Sequence, residues 1–251
     1  MNAFEGKTAL VTGGSSGIGF ASAQALLAHG AARVYIVARD ADRVASAAHA
    51  LGERAVGVAA DVASAADLAR LKASIEERGD RLDVLFANAG VAHANAFGAT
   101  SEAEFDTLFD INVRGVFFSV QSMLTLLNDG ASVVLNASVA GIKGMPNLSL
   151  YSASKAAVRS FARTWAVDLK PRAIRVNTIS PGVTRTPILA GGLGMDAEAI
   201  AALDGYLAGA TPTGRMAEPE QIASVVLFLA SPGSSHVNGI ELCVDGGLAQ
   251  I

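Results

Sequence analysis

Two polar residues four positions apart, Tyr151 and Lys155, are of types that could do acid–base chemistry. In a helix, residues at i and i+4 lie on one face, so the phenol and the ammonium would be neighbours. A nearby cation favours the phenolate and lowers the phenol's pKa from its ordinary value of about 10. Such a tyrosine could donate or accept a proton near neutral pH. The same spacing also occurs on ordinary helix surfaces, so the rest of the sequence must show whether Tyr151 and Lys155 form a catalytic pair.

The elements that would position this pair alternate between short β-branched runs and longer Ala- and Leu-rich segments. This alternation predicts an α/β, three-layer doubly wound (Rossmann) fold with about seven parallel strands and helices on both faces. The predicted strands are Thr8–Val11, Val34–Val37, Ala55–Ala59, Val84–Phe86, Val133–Asn136, Arg175–Ile179 and Glu241–Val244. The predicted helices are Gly17–Ala28, Ala41–Leu51, Ser64–Arg78, Ser101–Leu127, Leu150–Leu169 and Pro219–Ala230.

Composition limits the classes of protein that this chain can belong to. Of its 251 residues, 51% are hydrophobic and no linker interrupts them, which predicts one domain over residues 1–251. A net charge of −4 argues against a nucleic-acid or anionic-membrane partner, and no apolar run reaches the ~20 residues that span a bilayer. With a lone cysteine, Cys243, and no signal-peptide character in Met1–Lys7, we expect a cytoplasmic protein. No metal site is predicted.

A glycine-rich turn follows the first predicted strand. In Thr12-Gly13-Gly14-Ser15-Ser16-Gly17-Ile18-Gly19 the spacing is G-x-x-x-G-x-G, directly before a predicted helix. Glycines let a ligand approach the backbone closely, and a helix N-terminus favours an anion. The turn therefore predicts a dinucleotide phosphate site, formed by Gly13, Ser15, Ser16, Gly17, Ile18 and Gly19.

The end of the second predicted strand indicates which dinucleotide is bound. An acid there would bond a ribose 2′-hydroxyl, whereas an arginine would bind a 2′-phosphate. Ala38 occupies the acid's position and Arg39 follows it, which favours NADP(H) over NAD(H). Asp40 would be the ribose acid if the register were shifted, and Arg39 could instead be a solvated surface charge.

Further motifs occur in a fixed order along the chain. They are Asp61-Val62, Asn88-Ala89-Gly90, Asn112, Ser138, Pro181-Gly182-Val183 with Thr186, and Val244-Asp245-Gly246-Gly247. Together with the glycine turn, Tyr151 and Lys155, they resemble the short-chain dehydrogenases/reductases over almost the whole chain. The resemblance implies that Asp61 and Val62 meet the adenine side of the cofactor. It also implies that Asn88-Ala89-Gly90 lines the cofactor site, and that the loop of Pro181, Gly182, Val183 and Thr186 meets the nicotinamide.

The resemblance also implies a mechanism. Tyr151 would protonate the alkoxide in ketone reduction, or take the alcohol proton in oxidation, while Ser138 polarises the carbonyl. Lys155 would lower the pKa of Tyr151 and hold the nicotinamide ribose, and Asn112 would position a water that links Lys155 to solvent. Structural alternatives exist: Ser138 could cap a turn, Asn112 could be a buried amide and Lys155 could lie on the surface.

Residues 187–216 depart from the strand–helix alternation, with Gly191, Gly192 and Gly194 preceding a short Ala-rich helix. This segment could be a substrate lid or an exposed helical hairpin. Apolar residues between Ser138 and Tyr151 favour a hydrophobic ketone or secondary alcohol as the small-molecule substrate. In the resembled family, enoyl reductases usually have a longer Tyr–Lys gap and sugar-nucleotide enzymes a different glycine spacing, so both activities are disfavoured.

Two other functions stay open at this point. A 3-oxoacyl-[acyl-carrier-protein] reductase would need a basic patch, for which Lys143, Arg185 and Arg215 are the scattered candidates. A non-enzymatic NADP(H) sensor is disfavoured because such proteins commonly lack the Tyr/Lys pair. The resemblance also implies a homotetramer.

Overall fold

A computed structural model describes residues 3–251. Met1 and Asn2, which begin the predicted domain and the segment without signal-peptide character, lie outside the described residues. Within residues 3–251, seven parallel strands form one sheet in the order β3-β2-β1-β4-β5-β6-β7. The strands are β1 (Thr8–Thr12), β2 (Arg33–Ala38), β3 (Ala55–Ala59), β4 (Leu82–Ala87), β5 (Leu127–Asn136), β6 (Arg175–Pro181) and β7 (Glu241–Val244).

Helices cover both faces of this sheet, which confirms the predicted doubly wound fold. They are α1 (Gly17–Ala28), α2 (Ala41–Leu51), α3 (Ala65–Glu76), α4 (Glu102–Phe109), α5 (Val116–Met123), α6 (Ser149–Asp168), α7 (Ile188–Gly191), α8 (Ala197–Ala210) and α9 (Pro219–Ala230). None of these helices combines the length and apolarity needed to cross a bilayer.

The core lies in two layers because successive strand residues point to opposite faces of the sheet. Leu10 packs on the face that is covered by α3, α5 and α6. Its neighbour Val11 packs on the other face, against α1, α2 and α9. With both faces buried, the strands are held rigidly and their carboxyl ends can carry a site.

The single helix predicted for Ser101–Leu127 is wrong. A π-helical turn, Asp110–Gly115, separates α4 from α5, and Leu127 is a strand residue that pairs with Leu82. The π turn brings Gly115 against Val62, so closely that a Cβ at Gly115 would lie 2.8 Å from the Val62 Cγ2 atom. A single-residue widening of a helix of this kind often marks a functional site.

The strand order reverses beside β1, which has β2 on one side and β4 on the other. In open α/β sheets, ligands bind in the crevice outside the carboxyl ends of the strands at such a switch point. Thr12 and Ala87 end the two strands that border this crevice.

Candidate active site

The turn between β1 and α1 requires glycine at two positions. A Cβ on Gly19 would lie 2.2 Å from the carbonyl oxygen of Gly13, far inside van der Waals contact. Gly13 has a φ of +65°, in the left-handed region that favours glycine. Glycine at these two positions therefore allows the tight backbone packing of the turn, and close approach by a bound phosphate group stays a prediction.

The N-terminus of α1 is suited to an anion. Ser16 lies at the N-cap position, but its side chain accepts no hydrogen bond from the described helix, and the first turn carries no acid. The N–H groups of this turn, including that of Ile18, face outward from the helix end together with its positive dipole. Ser15 and Ser16 line a cleft of about 470 Å³ beside it. This geometry fits the pyrophosphate of a dinucleotide.

The segment after β6 returns to this turn. A Cβ on Gly17, which has a φ of +52°, would lie 3.1 Å from the Thr186 Cγ2 atom. Upstream, Pro181 is buried, and the Gly182 N–H donates to the Val244 carbonyl oxygen at 3.0 Å. The predicted nicotinamide segment, which also contains the half-buried Val183, therefore lies beside the predicted phosphate turn.

Asn88 connects the ends of three strands. Its Nδ2 atom donates to the carbonyl oxygens of Thr12 at 3.0 Å and Gly13 at 3.1 Å. Its Oδ1 atom accepts from Asn136 Nδ2 at 2.8 Å, and the Ala89 N–H donates to the Thr12 hydroxyl at 3.0 Å. The Asn88 side chain thus shapes the glycine turn, and direct cofactor contact by Asn88, Ala89 and Gly90 stays a prediction.

Arg39 and Asp40, at the end of β2, occupy different environments. Asp40 caps α2 by accepting from the Arg43 N–H at 3.0 Å, and it pairs with the Arg43 guanidinium at 3.5 Å. Arg39 is exposed and makes no ion pair within the described part of the chain. Arg43, which lines the cleft beside Ser15 and Ser16, was missed in the sequence although it lies one turn into a predicted helix.

Asp61 and Val62 follow β3. The Asp61 carboxylate accepts from the Ala63 N–H at 2.9 Å, while Val62 is buried against Gly115 of the π turn. The pair follows the edge strand of the sheet, and its predicted contact with the adenine side of the cofactor stays a prediction.

Tyr151 and Lys155 lie one turn apart on α6, as the spacing predicts, and Lys155 is only 4% exposed. Its Nζ atom lies 5.6 Å from the centroid of the Tyr151 ring and donates to the Asn136 carbonyl oxygen at 2.8 Å. Burial lowers the pKa of Lys155 to about 8. Lys155 is therefore not a surface lysine, and it loses its proton at a lower pH than an exposed lysine does.

The expected lowering of the Tyr151 pKa is wrong for this structure. Burial raises the pKa of the phenol, and the Ser138 hydroxyl opposes that rise only in part. The reason is positional: the Lys155 ammonium is bonded to the Asn136 carbonyl, and low-dielectric surroundings penalise the phenolate. Tyr151 is therefore a protonated phenol at neutral pH, which is the form that donates a proton.

Ser138 follows β5 and begins a short 3-10 turn. Its Oγ atom accepts from the Ala140 N–H at 3.1 Å, so it caps that turn, as the structural alternative holds. The same hydroxyl also lies close enough to Tyr151 to affect the phenol's pKa. Capping and proximity to Tyr151 coexist, because the turn aims the hydroxyl toward α6.

Asn112 is a fully buried amide in the π turn. Its Nδ2 atom donates to the Val91 carbonyl oxygen at 2.9 Å and to Ser154 Oγ at 3.1 Å, and its Oδ1 atom accepts from the Val91 N–H at 2.8 Å. Both donors are used, which leaves one lone pair of Oδ1 for a water. A Cβ on Gly90 would lie 3.2 Å from Asn112 Oδ1 and 3.4 Å from Lys155 Nζ, so these two groups flank Gly90.

Residues 187–216 contain α7 and α8, and they pack on a third apolar cluster. Val139, Leu189, Leu207, Met216 and Leu248 form its buried part. Gly191, Gly192 and Gly194 lie around the end of α7, with Gly194 at a φ of +67°. This segment therefore covers the region beside Ser138, whether it acts as a lid or as a fixed hairpin.

Three residues of the site were missed in the sequence. Asn136 provides the carbonyl that holds Lys155, and Ser154 links Asn112 to the Tyr151 carbonyl oxygen at 2.7 Å. Arg43 lines the cleft beside the glycine turn. Ser154 lies between two predicted site residues, which was the one available signal for it.

Comparisons with known proteins agree with this geometry. Residues 13–249 match a family model that is described as enoyl-(acyl carrier protein) reductase. Oxidoreductase asL5 of Sarocladium schorii is 39% identical over 248 residues, which cover 98% of this chain and 97% of that protein. A cis-4-hydroxycyclohexanecarboxylate dehydrogenase of Sinomonas cyclohexanicum is 38% identical and covers 99% of both chains. A solved short-chain dehydrogenase/reductase family protein has a TM-score of 0.85 and 41% identity, over 99% of this chain and 100% of that one.

Proposed function

The chain belongs to the short-chain dehydrogenase/reductase family, and we propose that it is an NADP(H)-dependent oxidoreductase that interconverts an apolar ketone and its secondary alcohol. The observation that carries this proposal is the convergence of Ser138, Tyr151 and a buried Lys155. These groups lie on α6 and just past the end of β5, at the carboxyl edge of the sheet.

In ketone reduction, the Ser138 hydroxyl donates a hydrogen bond to the carbonyl oxygen and polarises it. A nicotinamide held beside the glycine turn and the Pro181–Thr186 segment would supply the hydride that the carbonyl carbon accepts. The Tyr151 phenol then gives its proton to the oxygen that has gained charge, which completes the alcohol. The raised pKa of Tyr151 supports ketone reduction at neutral pH, because the phenol is protonated there and can donate its proton to the alkoxide oxygen.

Lys155 stabilises negative charge on the tyrosine after proton transfer and offers further N–H donors to the ribose hydroxyls. Reprotonation of Tyr151 would run through Lys155 and a water held by Asn112, whose Oδ1 atom keeps one free lone pair. This relay is part of the proposal.

The preference for NADP(H) is supported by the end of β2. Ala38 carries no carboxylate, and Asp40 is occupied as the cap of α2. Arg39 is exposed and carries an unpaired guanidinium within the described residues, while Arg43, which pairs with Asp40, lines the cleft beside Ser15 and Ser16. We take Arg39 as the main ligand of a 2′-phosphate and Arg43 as a second candidate. Asp42, in the same cleft, would oppose that charge in part.

A 3-oxoacyl-[acyl-carrier-protein] reductase is the second candidate, because the matching family model is described by a carrier-protein substrate. Its basic patch is weakly supported. Lys143 donates to the Leu248 carbonyl oxygen, and Arg185 pairs with Asp204 and Glu218. The three-residue gap between Tyr151 and Lys155 argues for carbonyl rather than C=C reduction.

We further propose that the protein is cytoplasmic and forms a homotetramer. Self-association is supported by large apolar side chains that are exposed on the outer helices. Val167 on α6 is 70% exposed and Phe228 on α9 is 45% exposed. Apolar surface of this kind often marks an interface.

The test is a substrate screen with NADPH and NADH. It includes apolar ketones, substituted cyclohexanones suggested by the Sinomonas relative, a 3-oxoacyl thioester and an enoyl thioester. We expect reduction of apolar ketones with NADPH. Turnover of the 3-oxoacyl thioester alone would favour a 3-oxoacyl-[acyl-carrier-protein] reductase. No turnover of any carbonyl compound would contradict both proposed activities.

A further inference from the structure

The residues that follow β7 fold into a tight turn, residues 245–249, which we call the C-terminal turn. The two carboxylate oxygens of Asp245 accept from the Gly247 N–H at 2.9 Å and the Ala249 N–H at 2.8 Å. Gly246 has a φ of +64°, and a Cβ there would lie 2.0 Å from the Thr213 Oγ1 atom. The C-terminal turn is therefore fixed against the end of the 187–216 segment.

Leu248 connects this turn to the region beside Ser138 in two ways. Its side chain is 5% exposed and packs in the apolar cluster that contains Val139. Its carbonyl oxygen accepts a hydrogen bond from Lys143 Nζ at 2.6 Å. Ammonium-to-carbonyl bonds are charge-assisted and stronger than neutral ones.

Lys143 lies in the middle of residues 139–148, which we call the catalytic segment because it joins Ser138 to the helix of Tyr151. At one end the Lys143 N–H donates to the Val139 carbonyl oxygen at 2.8 Å. At the other end the Asn147 carbonyl oxygen accepts from the Asn95 N–H at 2.8 Å. The bond to Leu248 is what ties the middle of the segment to the C-terminal turn.

The catalytic segment presents apolar surface. Ile142, four residues after Ser138, is 52% exposed, and Met145 packs partly against the third apolar cluster. An apolar substituent of a ketone bound at Ser138 would gain most by covering such surface.

We propose that Lys143 and Leu248 are positioning residues that hold the catalytic segment as one wall of the substrate pocket, and that this wall selects ketones with a large apolar substituent. This inference rests on the proposed ketone reduction. It predicts an effect on KM rather than kcat, because Lys155 and Tyr151 are held by separate bonds to Asn136 and Ser154.

The experiment compares Lys143→Met, Lys143→Arg, Leu248→Ala and a control, Lys72→Met, whose lysine pairs with Glu76 on α3. Each is assayed with acetone and with 4-phenyl-2-butanone. We expect Lys143→Met to raise KM for the bulky ketone about tenfold, the size of one hydrogen bond, with kcat and the acetone KM within about twofold. Lys143→Arg should keep most of the wild-type KM, because its guanidinium can still donate to the Leu248 carbonyl oxygen. Leu248→Ala keeps that carbonyl but removes the packing beside Val139, and it should also raise KM for the bulky ketone more than for acetone. Lys72→Met should match the wild type.

Amide hydrogen exchange tests the effect of the hydrogen bond between Lys143 and Leu248 without an activity assay. Lys143→Met should exchange faster at the amides of residues 141–143, with an unchanged melting temperature. Unchanged exchange, an unchanged KM, or an equal loss on both ketones would overturn the inference. A wild type that reduces no ketone defeats the proposed function and this inference together, whereas an active wild type with an unaltered Lys143→Met profile defeats this inference alone.

Discussion

The Lys155 ammonium donates a hydrogen bond to the backbone carbonyl oxygen of Asn136, at 2.8 Å. Asn136 ends β5 and lies two residues before Ser138, so this bond joins the helix that carries Tyr151 and Lys155 to the strand end that precedes Ser138. It also satisfies a buried cation with a neutral oxygen. Burial of this ammonium away from water lowers the pKa of Lys155 to about 8.

That lowered pKa predicts a pH profile for ketone reduction. Lys155 is charged below about pH 8 and loses its proton as pH rises through that value. The Tyr151 pKa is raised, so the phenol stays protonated over the same range. We expect kcat/KM for reduction to be level below about pH 8 and to fall above it. A profile level to about pH 10, where an exposed lysine titrates, would contradict this role.

Cofactor preference should depend on Arg39. We expect Arg39→Gln to weaken NADPH binding about 10- to 100-fold relative to NADH, the loss of one charge-assisted contact, and adding Ala38→Asp to reverse the preference. Initial rates with both cofactors measure it. Arg43→Gln shows whether the second guanidinium contributes, and the exposed Arg78→Gln on another surface is the control. An unchanged preference in the double variant would mean that the 2′-phosphate lies elsewhere.

Ser154 should support the site through Asn112. Ser154→Ala removes its bonds to Asn112 and to the Tyr151 carbonyl and leaves a buried amide donor unpaired, a cost of about 1–3 kcal/mol. Urea unfolding should show this decrease in the free energy of unfolding. The value of kcat should also fall, because Asn112 loses a partner that positions it. Ser160→Ala, on the exposed face of α6, should change stability by less than about 0.5 kcal/mol. Equal stabilities of the two variants would contradict the role given to Ser154.

Oligomeric state provides an independent prediction. Light scattering should give the mass of four chains, and Phe228→Glu on α9 should yield smaller species because it places charge on apolar surface. Glu220→Gln, on the exposed first turn of the same helix, should leave the mass unchanged. A monodisperse monomer of the wild type would contradict the assembly.

The features that could be predicted from the sequence are local ones. Residues that are close in sequence determine the strand–helix alternation, the glycine turn and the spacing of Tyr151 and Lys155. The direction in which the Tyr151 pKa shifts could not be predicted from the sequence. It depends on how deeply the phenol is buried and on which carbonyl accepts the hydrogen bond of Lys155. Likewise, Asn112 in the π turn makes hydrogen bonds to Val91 and Ser154, which are distant in sequence. The periodicity of residues within that segment does not predict these bonds.

The central claim is that Tyr151 donates the proton in carbonyl reduction, and Tyr151→Phe tests it most directly. Single-turnover reduction of an apolar ketone and NADPH binding, measured by fluorescence titration, should be compared in the wild type and the variant. We predict a rate lower by about 10²–10⁴-fold, the size of a general-acid contribution, with NADPH affinity within about threefold. A variant that reduces the ketone at the wild-type rate would contradict the claim.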